Sequence, residues 1–208
     1  MSPRKPAVLR GGGDQTLHEL LVSAAARLIA LHGTVGLTVR GIAGEAGVAQ
    51  GVLYNHFDDK EEVIALALHS YARSVMQDVT LPAAGSGTVE ANLRVYLEFG
   101  LTTLGRLLPA FGGVIGQPKI MARFVDHFSA ELSGGIPDLF GNYLRAEQKL
   151  GRIAAGADVH ATAVLIVGAC HGEALPGLFR GQPETHPIVR PEFVDGLIDT
   201  IMNGIAPR

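Results

Sequence analysis

Tryptophan is absent from this 208-residue chain and cysteine occurs once, at Cys170. A lone cysteine excludes an internal disulfide framework and agrees with a reducing compartment, so a packed core must hold the fold. The length suits one large or two small domains, enough to bury such a core. Charge of one sign is also scarce: 17 Lys and Arg against 20 Asp and Glu give a formal net charge of -3, so bulk charge makes no case for nucleic acid. Long apolar runs are missing too. The best candidate, Ala161 to Ala169, is shorter than the roughly 20 residues that span a bilayer. The N-terminal MSPRKPAVLRGGGD is basic but lacks the apolar stretch of a signal peptide. A cytoplasmic protein with no membrane partner is the expectation. Period-two alternation and sequence repeats are likewise missing, which argues against a sheet or a solenoid.

What is present is apolar surface. Hydrophobic residues make up 47% of the chain and charged residues 18%, more apolar material than one soluble core requires, which points to an oligomer interface or a pocket. Residues 1–13 hold two prolines and a glycine triplet and read as a disordered basic arm. Up to Phe57, Arg4, Lys5, Arg10, Arg27 and Arg40 outnumber Asp14, Glu19 and Glu45, so the N-terminal quarter is mildly basic.

Helical punctuation then sets in. Thr16 with Glu19 offers a capping box for a first helix ending near Gly33, and Thr38 caps a brief second helix closed by Gly47. A short third helix spans roughly Gln50 to His56, and Asp58 with Glu61 starts a fourth over 59–78. Short helix, glycine turn, short helix is the helix-turn-helix layout. Beyond the loop LPAAGSGT, the spacing predicts helices near 88–107, 118–130, 137–150, 158–179 and 191–204, for an all-α chain of about nine helices. The expected organisation is an N-terminal helix-turn-helix domain over 14–60, helix four as connector, and a larger C-terminal region over 79–208.

The stretch LTVRGIAGEAGVAQGVLYNHFDDKEEV carries the chemistry. Leu53 and Phe57, four apart, share one helix face and should pack inward. Tyr54, Asn55 and His56 therefore point outward or sideways, and a phenol, an amide and an imidazole can reach phosphate oxygens or base edges. The motif resembles the DNA-binding segment of the TetR family of transcriptional repressors. The resemblance runs through Leu37-Thr38, Ile42-Ala43, Ala46-Gly47-Val48 and Leu53-Tyr54-x-His56-Phe57-x-x-Lys60-Glu61, specific over residues 14–76 and architectural beyond.

This resemblance implies a homodimer binding a double-stranded DNA operator and released by a small-molecule effector. Tyr54 and His56 would touch phosphates, Gln50 and Asn55 would face the groove, and Lys60 would bind backbone. Arg40 would read a guanine, the commonest specific base contact. Thr38 is both cap and possible phosphate ligand. Ala49 stands where the family often has serine, leaving the third helix uncapped; Val52 replaces a common threonine. Gly51 weakens that helix but would let its backbone approach DNA closely.

By the same resemblance the last two helices build the dimer, with Val164, Val167, Gly168, Phe193, Leu197 and Ile201 at the interface. Between head and bundle, Phe99, Phe111, Met121, Phe124, Phe128, Phe140 and Tyr143 concentrate the aromatic and soft apolar side chains. They suit a ligand pocket with His127 and His171 among its polar groups, beside Arg123, Asn142 and Glu173. Gly112, Gly113 and Gly116 would let a short helix move.

Two rival readings have residues behind them. In ACHGEA, Cys170 and His171 are neighbours on a helix, where side chains diverge by about 100°. They are badly placed as nucleophile and base, so no catalytic residue is expected. His171 and Glu173 lack the i, i+4 spacing of helical metal ligands and the other histidines are scattered, so neither metal nor cofactor is implied. The second rival is a helical ligand-binding or adaptor protein with a vestigial DNA-binding head. Operator sequence, regulated genes, effector identity and repressor or activator polarity are not encoded legibly.

Overall fold

The computed structural model describes residues 14–77, 79–131, 135–180 and 189–204. Those residues form nine helices and no strand, as the periodicity predicts; the expected basic arm lies outside them. α1 (Asp14–His32), α2 (Val39–Ala46), α3 (Gln50–Leu53) and α4 (Lys60–Gln77) make the head. α5 (Val89–Phe111), α6 (Pro118–Glu131), α7 (Gly135–Lys149), α8 (Val159–Arg180) and α9 (Pro191–Asn203) follow.

Local chemistry fixes the head's boundaries. α1 already runs at Asp14, so Thr16 lies inside the helix and the expected cap there is displaced. Gly33 ends α1 at φ 66, its N–H donating to Ile29 O at 2.8 Å. The Thr38 hydroxyl oxygen accepts from the Gly41 N–H and caps α2, and Gly47, at φ 71, closes it in the left-handed conformation that glycine adopts without strain. α3 has no side-chain cap at Ala49 and ends at Leu53, short of the expected His56. The residues after it form a turn in which Asn55 and His56 donate to Val52 and Leu53 carbonyls. Gly51 and the missing cap both weaken so short a helix. At α4 the Asp59 carboxylate accepts from the Glu62 N–H at 2.9 Å, while Glu62 accepts from the Asp58 N–H at 2.7 Å. The cap of α4 is therefore Asp59, one residue later than expected, with Glu62 reaching back to the residue before it.

Two apolar cores follow. The first gathers Leu21 and Ile29 of α1, Ile42 of α2, Leu53, Phe57, and Val63 and Leu68 of α4 with Ala110 and Phe111 of α5 and Ile120 and Phe124 of α6. The second joins Leu93, Leu97 and Leu101 of α5 to Phe140 and Leu144 of α7, Ile166 and Cys170 of α8, and Val194 and Ile198 of α9. α5 thus runs through both, its last two turns belonging to the head's core. Each fully buried leucine or phenylalanine contributes about 1.5–3 kcal/mol relative to exposure.

α8 needs separate mention. Its stretch Val159–Phe179 has mean hydropathy 1.4 and would be long and apolar enough to cross a membrane by length and composition, a run longer than the sequence reading recognised. Its apolar residues divide between two faces: Ala163, Ile166, Val167 and Cys170 are buried inside the chain, while Val164 (50%), Leu165 (70%) and Phe179 (79%) are exposed.

Candidate nucleic-acid interface

The recognition segment is anchored from behind. Leu53 is fully buried and Phe57 nearly so, with the His18 ring 4.5 Å from the Phe57 ring. With these two side chains directed inward, Gln50, Gly51, Tyr54 and Asn55 are exposed, and His56 is half-buried. Tyr54 presents 57% of its surface. A Cβ at Gly51 would meet nothing within 4 Å, so the glycine leaves open backbone on the exposed side of α3. Arg40 and Thr38 are exposed at the start of α2, and Lys60 is exposed at the start of α4, 4.0 Å from Glu61. The Thr38 oxygen accepts the α2 cap bond, which leaves its hydroxyl hydrogen able to donate outward. All eight residues expected at DNA thus lie on α2, α3 and the turn into α4.

Behind this face, α2 is held to α1 by Arg27 Nε and Glu45 at 2.8 Å. One link was not foreseen. Asp59, next to Lys60, receives Lys119 Nζ at 2.5 Å and Arg123 at 2.5 Å, both from α6. These two cations, Lys119 first, hold the Asp59 carboxyl far below the usual carboxylate range, and Asp59 in turn raises Arg123. Arg123, grouped with pocket polar groups in the sequence reading, ties the recognition end of the head to α6 instead. Separation by some 60 positions hides this pairing from any local pattern.

A second junction lies at the other side of the head. The buried Thr34 hydroxyl donates to Ala110 O at 2.6 Å and accepts from the Gly113 N–H at 3.0 Å, while the Thr34 N–H also donates to Ala110 O at 3.1 Å. A Cβ on Gly113 would lie 2.7 Å from the Thr34 backbone. The loop leading into α2 is therefore seated on the end of α5, and Gly113 is there for close approach.

Among the described residues, those expected around a ligand are divided between the two cores and the surface. Phe111 and Phe124 pack edge to face at 4.8 Å in the first core, with Met121 against it. Phe140 and Tyr143 fill the second, where Tyr143 stacks on Tyr96 at 4.4 Å. Phe99 lines a shallow groove of about 310 Å³ with Leu81 and Leu139. His127 is exposed, 6.2 Å from His69; Phe128 lies in α6 but its side chain falls outside the described residues. His171 is exposed and its Nδ1 bonds Val167 O at 2.8 Å. Its neighbour Cys170 faces inward, where burial pushes the thiol up to about 12, so it stays protonated at neutral pH. A cleft of about 520 Å³ lies instead where α1, α4, α5 and the end of α8 meet, and includes Arg106, His32 and Tyr71.

Of the residues expected at a dimer interface, Val164 and Gly168 are exposed, Val167 fills the chain's own core, and Phe193, Leu197 and Ile201 are half-buried against that core.

Comparison with known proteins agrees with this architecture. Residues 21–67 match the family described as bacterial regulatory proteins, tetR family. Among solved structures, the transcriptional regulator FadR from Bacillus subtilis, in complex with stearoyl-CoA, superposes with TM-score 0.62 at 18% identity, covering 91% of this chain and 100% of that one. The fatty acid degradation regulator FadR from Bacillus halodurans gives 0.60 at 18% identity, covering 96% and 100%. A TetR family transcriptional regulator from Pseudomonas syringae pv. tomato gives 0.63 at 19%, covering 92% and 97%. Residues 21–67 thus match the tetR-family helix-turn-helix head, and the helical body behind them has the fold of these regulators.

Proposed function

We propose that the chain is a homodimeric repressor that binds a palindromic operator through α2 and α3 and leaves it when a small apolar or amphipathic molecule binds. The observation that carries this is the α3 segment, inward at Leu53 and Phe57 and outward at Gln50, Tyr54 and Asn55. A second short helix held in this way is what enters a major groove, while the first lies across the backbone. Arg40 would read a base edge; Tyr54, His56, Thr38 and Lys60 would grip phosphates; Gly51 would admit the backbone. The head over 14–60 reads, helix four connects, and residues 79–208 dimerise and sense.

Dimerisation is supported by the outward face of α8, where Val164, Leu165, Leu175 and Phe179 are exposed. Apolar side chains at helical spacing on an otherwise packed helix suit a two-fold contact in which each copy covers the other. An amphipathic effector is supported by the fold itself, which holds stearoyl-CoA in the Bacillus subtilis regulator.

A selection of genomic fragments by the purified protein tests the reading. A short palindrome, bound by two chains and protected symmetrically, is the expected result. Weak capture with no common sequence would show that the head does not read DNA.

A further inference from the structure

The cleft at the head–body junction has a one-sided chemistry. Ile29, Val35 and Leu178 give it apolar walls, Arg106 and His32 stand on its lining with the Tyr71 ring, and among the described residues no carboxylate lines it. In a chain whose acids outnumber its Lys and Arg, a lining that carries Arg106 and, among the described residues, no acid is selective. The Tyr71 hydroxyl donates to the Arg106 carbonyl at 3.5 Å, and Arg106 is exposed on the lining. Its volume of about 520 Å³ lies within the roughly 300–1,000 Å³ range of small-molecule sites.

We propose that this cleft binds an anionic amphiphile, its carboxylate on Arg106 and its chain along Ile29, Val35 and Leu178, and that occupancy is relayed through Thr34 to the DNA-reading helices. The proposal deepens the effector-released repressor reading and rests on it for the relay, while the binding itself does not. A guanidinium matches a carboxylate with paired donors, which an alcohol of equal chain length cannot reproduce. The relay follows from position. Gly33 and Val35 flank Thr34, Pro109 and Gly112 flank its Ala110 partner, and all four line the cleft. A ligand there separates or clamps the strands of backbone that Thr34 joins, and α2 begins at the cap only four residues further on, at Thr38. Because both backbones are in van der Waals contact at Gly113, they have little room to absorb a wedge without shifting α2.

Calorimetry on the full chain with sodium decanoate and with 1-decanol tests the site, using wild type, Arg106→Gln and Ala30→Phe, the last filling the cleft from the exposed side of α1. Decanoate should bind wild type, lose at least tenfold with Arg106→Gln and be blocked by Ala30→Phe, while decanol binds weakly to both wild type and Arg106→Gln. Absence of decanoate binding to wild type, or equal affinity in Arg106→Gln, overturns the site. The relay is read by decanoate's effect on the selected DNA fragment: Thr34→Val should keep decanoate affinity but lose ligand-driven release. Release by decanoate undiminished in Thr34→Val overturns the relay. If ligand-free wild type fails to bind DNA while Arg106-dependent decanoate binding persists, the repressor reading has failed and the site stands.

Discussion

The head-side core sets Ala24, Ala25, Ala65, Ala67 and Ala72 between α1 and α4 beside Leu21, Leu53 and Leu68, and its three buried rings, Phe57, Phe111 and Phe124, carry no polar atom. The body-side core instead carries Tyr96, Phe140 and Tyr143 and lies against a fully buried carboxylate, Glu147. Glu147 accepts from the Gly85 N–H at 3.2 Å and lies 3.3 Å from Arg152 Nε, so the loop before α5 is tied to α7 by a charged group. Alanines let α1 and α4 approach closely and leave their chemistry to the surface; the body buries the polar groups of Glu147 and Asn92 beside its tyrosines. The difference teaches that the head keeps its polar side chains on the outer face, whereas the body buries polar groups and leaves apolar surface on the two-sided α8.

The sharpest way to break this contrast is to hollow each core. Phe140→Ala should cost about 3–5 kcal/mol and Leu53→Ala about 2–5 kcal/mol in urea unfolding followed by circular dichroism. Only Leu53→Ala should also abolish DNA binding under conditions where the variant remains folded, since Leu53 fixes the α3 face. If Phe140→Ala removed DNA binding as completely, the two cores would not differ in what they hold in place.

The junction between the cores comes next. Gly113→Ala should cost about 1–3 kcal/mol because its Cβ would fall 2.7 Å from the Thr34 backbone, whereas at Gly116 a Cβ meets nothing within 4 Å. Gly116→Ala should therefore be near neutral in the same unfolding experiment. Equal costs would show that the Thr34 seat is looser than its distances indicate.

A smaller effect sharpens the head alone. Ala49→Ser should add the missing cap of α3 and stabilise the protein by about 1 kcal/mol in thermal unfolding. The last is a pH test of the Asp59 link. Its pKa in the fold is lowered from 3.8 by Lys119 and Arg123, so the stability it contributes is present above that value and fades as the solution becomes more acid. Asp59→Asn should lower stability at neutral pH and flatten its fall in acid, read from urea midpoints across that range. Parallel pH profiles for wild type and variant would remove Asp59 from the account.

Much of the head was legible in sequence because its signals are local: Thr38 caps, Gly47 stops, and Leu53 with Phe57 sets which residues face out. The register of α4 was not, since DDKEE offers two equally spaced boxes, and Asp59 is favoured by two cations from α6 that no window of sequence contains. In the body, helix positions followed from Gly and Pro punctuation. The aromatic residues did not by themselves locate a cavity, because Phe and Tyr at helical spacing look alike whether they line space or fill it. Arg106 and His32 gave no signal, being far apart in the chain until α1 and α5 meet. The outward half of α8 was visible as small and apolar residues, but which of them face inward, Val167 among them, was settled only by packing.

The central claim is that the outward residues of α2, α3 and the start of α4 divide into readers and grips. The most direct measurement is a salt titration of binding to the selected fragment and to a scrambled one, with wild type, Arg40→Ala, Tyr54→Ala and Lys60→Ala. Arg40→Ala should lose about 1–3 kcal/mol on the selected fragment and little on the scrambled one. Tyr54→Ala should weaken both alike, and Lys60→Ala should weaken both and reduce the slope of log affinity against log salt by about 1 per bound head. Unchanged discrimination in Arg40→Ala, with salt slopes identical across all four proteins, would contradict the account.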